Sequence, residues 1–163
     1  MTAASPVRDR NARPLSVADI ERVIAIDRVH SGHARRRFFE KRFAAARAQP
    51  DDYIQVGAMW GGSLRGFAIA RIFRGEFGHE HPVAVLDAIG VEAQSQEHGI
   101  GEALMNELRD AMRRSGVRTL HSQADWTRHQ LMRFFAASGF ELSPRLALER
   151  SVSERLEETS EEV

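Results

Sequence analysis

Leu86-Asp87-Ala88-Ile89-Gly90-Val91-Glu92-Ala93-Gln94-Ser95-Gln96-Glu97-His98-Gly99-Ile100-Gly101-Glu102-Ala103-Leu104 is the stretch on which the reading of this 163-residue chain turns. It runs from an apolar strand through a short polar turn to glycines that open an amphipathic helix. Such a join aims several free backbone N–H groups, and the positive end of the helix, at one point. That is an anion cradle, and pyrophosphate suits it. Gly99 and Gly101 let a ligand come close because neither carries a Cβ. A nucleotide P-loop needs a Gly-Lys-Ser/Thr ending, and no lysine is near. A dinucleotide fingerprint needs three glycines, and this turn has two. Taken alone, the turn also fits a helix that merely starts at glycine.

Outward from the turn, Val83–Val91 is nearly all apolar, as a strand covered on both faces should be. Upstream, Tyr53–Trp60 and Leu64–Phe73 read as strands joined by Gly61-Gly62-Ser63, a tight-hairpin signal. Val7–Pro14 is a weaker first strand. Ser16 followed by Asp19 resembles a capping box before a helix with Ile20, Val23 and Ile24 on one face. A second helix, Ala34–Ala48, carries the stripe Phe39, Phe43, Ala46 and an arginine-rich remainder. Downstream, Gly101–Arg114 has Leu104, Leu108 and Met112 at helical spacing. Arg118–Trp126 reads as a strand and Thr127–Ser138 as a helix closed by Gly139. Phe140–Leu142 and Ala147–Arg150 are expected to complete the sheet. The fold class is α/β, with residues 1–150 as one domain and 151–163 as an acidic tail holding five glutamates.

Composition narrows the function. Twenty-three basic and 23 acidic residues cancel, which disfavours nucleic acid and acidic lipid as partners. The absence of cysteine removes disulfides, thiolate nucleophiles and Cys-based metal sites. No leader or membrane-length apolar run is read, so the expected location is the cytoplasm and no membrane partner is expected. His79-Glu80-His81 has two metal-ligand types but no third in view, so it reads as a solvated loop and no metal is expected.

Three separated segments carry a resemblance. Ile89-Gly90-Val91, Gln96-Glu97-His98-Gly99-Ile100-Gly101 and Phe134-Phe135-Ala136-Ala137-Ser138-Gly139-Phe140 resemble, in order and spacing, the GNAT superfamily of acetyl-CoA-dependent N-acyltransferases. The resemblance spans roughly residues 7–150. It implies a mixed, mostly antiparallel sheet flanked by about four helices. It also implies that the Gln96–Gly101 amides bind the pyrophosphate of acetyl-CoA, and that Ile89–Val91 face the pantetheine arm from a strand splayed off its neighbour. Arg128 stands where the family often has an asparagine that touches the cofactor. His30 and His33 fall where the first helices border the acceptor.

The implied reaction is direct attack by a primary amine on acetyl-CoA in a ternary complex. An amine is mostly protonated at neutral pH, so a base is needed. Asp87 is one candidate, set in an apolar strand row with Val83, Val85, Ile89 and Val91 and nine residues before Gln96; its other reading is a structural ion pair. Asp125 is a second, on the same strand face as Gln123, which stands at a family base position; its other reading is a helix N-cap. Phe135 replaces the tyrosine that usually serves as acid. That substitution, together with Gln123, also admits a non-catalytic acyl-CoA sensor, while exposed final strands admit a homodimer.

Overall fold

The computed structural model describes residues 11–75, 78 and 80–151. Residues 7–10 of the expected first strand, His79, and the tail from 152 onward lie outside the described residues. The described chain falls into two compact units, one ending at Arg128 and one beginning at His129.

The first unit is built on five strands: β1 Asn11–Pro14, β2 Tyr53–Trp60, β3 Ser63–Phe73, β4 Val83–Val91 and β5 Thr119–Ser122. They lie side by side in sequence order. The first three pairings are antiparallel and β4–β5 is parallel. Helices α1 Ile20–Ser31 and α2 Arg36–Ala48 cover one face, and α3 Ile100–Arg114 covers the other. Val23, Ile26, Phe39, Phe43, Phe67, Ile69 and Ala88 fill the layer under α1 and α2. Ile100, Leu104 and Leu108 of α3 are fully buried on the opposite side.

Two glycines mark how closely these layers approach. A Cβ on Gly66 would lie 2.9 Å from both Ile100 and Leu104, and one on Gly90 would lie 2.7 Å from Phe67. Gly66 therefore looks towards α3 and Gly90 towards α1.

β4 is not a regular strand. Ile69 pairs with Ala88 and Ala70 with Leu86, so Asp87 is the extra residue of a β-bulge. The bulge reverses the alternation. Val83 and Val85 pair with Phe73 and Arg71, whereas Ile89 and Val91 pair with Ala68 and Gly66 on the α3 side. The single apolar row expected from strict alternation is thus split at Asp87.

In the second unit, α4 His129–Ala137 ends in a turn where Ser138 N–H donates to Phe134 O and Phe140 N–H to Phe135 O, with Gly139 at φ 82°. Phe135 is buried, its ring 4.7 Å from that of Phe140. The expected strands Phe140–Leu142 and Ala147–Arg150 are absent: this segment forms no ladder, and Leu142, Leu146 and Leu148 are about nine-tenths exposed. Each piece is only three or four residues long, and Pro144 between them removes a ladder donor. β5 is also shorter than Arg118–Trp126, since pairing to β4 stops at Leu86 with Ser122. No helix of the described residues is long and apolar enough to cross a membrane.

Candidate active site

The short β5 creates the main feature of the site. β4 continues for five residues past its last rung with β5, and among the described residues no strand neighbours its outer edge there. Glu92 donates its N–H to Arg65 O of β3 at 2.8 Å. By strand alternation Gly90 also faces β3, so the backbone groups of Ile89 and Val91 turn to the open side.

Beyond β4 the chain makes a 3-10 turn, Ala93–His98, and then Gly99 at φ 70°, a left-handed conformation that glycine adopts without strain. Ala103 N–H to Gly99 O, 3.0 Å, is the first hydrogen bond of α3. The N–H groups of Ile100, Gly101 and Glu102 precede it and have no acceptor within the helix. Among the described residues no side chain caps this end. Gly101 lies in the first helical turn and is not among the positive-φ glycines, so only Gly99 needs its special backbone. Gln96, Glu97 and His98 are exposed on the turn, and the His98 ring packs 4.2 Å from Trp60 at the end of β2.

Glu92 anchors this turn, and sequence reasoning missed it. Its carboxylate accepts from Arg22 of α1, from Arg65 of β3 at 2.5 Å and from the buried Ser95 hydroxyl at 3.3 Å. Burial pushes the Glu92 carboxyl up, but the hydrogen bonds from Arg22 and Arg65 outweigh it and hold the group below its ordinary value. Its arginine partners lie 70 and 27 residues away in the chain, so no local pattern could have signalled those ion pairs.

The two expected base candidates sit in different surroundings. Asp87 is nearly buried, with Oδ2 2.7 Å from Arg42 Nε of α2 and 2.8 Å from Arg71 Nε of β3. The N–H groups do not point along those lines, so charge and not directed hydrogen bonding holds the trio. The ion-pair reading of Asp87 is the one its geometry supports. Asp125 is exposed and lies beyond β5, four residues before α4; its carbonyl accepts from Arg128 N–H in the intervening turn. Gln123 and Arg128 are exposed as well. At the rim of β4, His30 places Nε2 2.6 Å from the Val91 carbonyl oxygen, which Gln96 also reaches at 3.4 Å. His33 contacts Ser31 O at 3.0 Å on the exposed α1–α2 connection.

A family model described as the acetyltransferase (GNAT) family matches residues 18–140. The chain belongs to the GNAT acetyltransferase family. The β4 edge left open beyond the end of β5 and the glycine-opened third helix therefore lie within a GNAT fold. No curated protein matches the chain. Among solved GNAT structures, the aminoglycoside N-acetyltransferase AAC(6')-Iy in complex with CoA has a TM-score of 0.73 at 20% identity, over 93% of this chain and 99% of that one. The aminoglycoside 6'-N-acetyltransferase AAC(6')-Ih from Acinetobacter baumannii has 0.72 at 16%, over 87% and 97%. Glucosamine-6-phosphate N-acetyltransferase from Arabidopsis thaliana has 0.66 at 14%, over 88% and 99%. At these identities the likeness shows the fold.

Proposed function

We propose that this chain is an N-acetyltransferase that moves an acetyl group from acetyl-CoA to a primary amine, by direct attack in a ternary complex in the cytoplasm. The observation that carries the reading is the open edge of β4 beside the uncapped start of α3. The outward-turned groups of Ile89 and Val91 offer donors and acceptors to an amide-bearing arm. The N–H groups of Ile100, Gly101 and Glu102 offer a pyrophosphate site where Gly99 keeps side-chain bulk away. Gln96, Glu97 and His98 border that site, and Arg128 is a further candidate contact. Bound there, acetyl-CoA would supply the activated thioester. Asp87 is assigned a positioning role, tying α2 and β3 to the bulge that turns Ile89 and Val91 outward. Asp125 is kept as a secondary candidate only.

Calorimetry with CoA tests the cradle. Gly99→Val forces a β-branched residue into positive φ at the mouth of the site, so affinity should fall at least tenfold in a folded protein. Unchanged affinity would remove the cofactor from this turn. Thiol release from acetyl-CoA, measured with sisomicin, glucosamine 6-phosphate, spermidine and a short peptide as acceptors, tests the reaction. These acceptors cover amino sugars, to which several solved GNAT structures point by name, polyamines and protein termini. A second reading, an acyl-CoA sensor, is favoured by Phe135 standing at the family's tyrosine position. CoA binding without turnover on any acceptor would establish it.

A further inference from the structure

We propose that His30 is the general base of the transfer, an assignment that rests on the acetyltransferase reading above. His30 lies in the last turn of α1 and its Nε2 is 2.6 Å from Val91 O. A carbonyl oxygen only accepts, so Nε2 must donate the hydrogen, and the neutral ring keeps Nδ1 as its acceptor. Nδ1 has no hydrogen-bond partner among the described residues. The carbonyl that fixes the ring is one that alternation turns to the open edge of β4. The imidazole is thereby held at the rim of the gap by Nε2, with its other ring nitrogen left to accept.

The three partly buried carboxylates near that end, Asp87, Glu92 and Asp27, are committed to ion pairs. Asp87 lies between Arg42 and Arg71, and Glu92 between Arg22 and Arg65. Asp27, one turn before His30 on α1, is closed off by two hydrogen bonds from Arg35 at 2.9 and 2.6 Å and one from the Ser31 hydroxyl. Accepting a proton at any of them means surrendering an ion pair. At Nδ1 of His30 it does not, and imidazole is the side chain best suited to exchange a proton near neutral pH. As the amine N–C bond forms, the thioester C–S bond breaks and sulfur leaves with that bond's electron pair. The proton shed by nitrogen goes to Nδ1 of His30, and water removes it before the next cycle.

The experiment combines side-chain 15N spectra of the full chain, free and with CoA, with the variants His30→Ala and His30→Gln. The spectra should show His30 as the Nε2–H tautomer in both states; an Nδ1–H tautomer overturns the proposal. Glutamine can still donate to Val91 O but cannot take up the proton. Both variants should bind CoA within about threefold of wild type by calorimetry. Both should lose roughly 10²–10⁴-fold in kcat, with KM for the amine little changed. Full activity in His30→Gln with loss only in His30→Ala would reduce His30 to a strut for the strand end and overturn the base assignment. A wild-type protein that releases no thiol with sisomicin, glucosamine 6-phosphate, spermidine or the peptide would instead overturn the acetyltransferase reading, and His30 as base with it.

Discussion

Asp19 shows how much one short carboxylate can organise. It accepts two hydrogen bonds from the Arg13 guanidinium, both 2.8 Å, and one from Ser16 N–H at 2.8 Å, so it ties β1 to the entry of α1. The Arg13 guanidinium holds its carboxyl down to about 2, against the opposing effect of burial. A carboxyl depressed in the folded state stabilises fully above its unfolded value of about 3.9, and that contribution is lost as pH falls towards 2. Asp19→Asn should therefore cost about 1–2 kcal/mol in urea unfolding at pH 7 and much less near pH 2, and an equal cost at both would refute the ionic role. Asp87→Asn belongs to the same scale. It leaves the Arg42 and Arg71 guanidiniums facing each other without their shared counter-charge, and both retain some contact with water. A loss of about 1–3 kcal/mol is expected, below that of a fully buried pair. A stable variant whose turnover collapses would return Asp87 to the base role. The Ser16–Asp19 cap was legible because donor and acceptor lie three residues apart. The contact of His30 with the Val91 carbonyl and the ion pairs of Glu92 were not, because a residue type says nothing of which strand end a helix will cross.

Elements were legible where their pattern is self-contained. β4 spans the expected Val83–Val91, the Gly61-Gly62 hairpin forms, and α3 buries Leu104, Leu108 and Met112 as their spacing requires. Leu104 is fully enclosed against the sheet, so Leu104→Ala should cost about 2–5 kcal/mol, read as a shifted urea midpoint at constant slope. What the pattern concealed is the bulge. An inserted residue changes the partner, not the composition, and alternation carried through Asp87 puts Ile89 and Val91 on the wrong face. β5 failed for a related reason, since Gln123–Trp126 have strand-compatible residues but no rung of β4 to meet.

Across the whole molecule, the fold class and element order follow from apolar periodicity, while the C-terminal region does not. Leu142, Leu146 and Leu148 alternate like strand residues yet are exposed. Replacing all three by serine should leave the melting temperature within about 2 °C, since uncovered side chains contribute little. A marked drop would mean that they are covered in solution, as a homodimer through this segment would require. The seam between β4 and β5 has a consequence of another kind. Mechanically it is a zipper shut over the rungs from Val83–Thr119 to Leu86–Ser122 and left open above them. A linear ligand whose amides run along Ile89 and Val91 would act as a splint on the open part, clamping teeth it never touches. The amide protons of β5 should then exchange with deuterium more slowly when CoA is present, so that the stiffness of the sheet becomes a readout of occupancy.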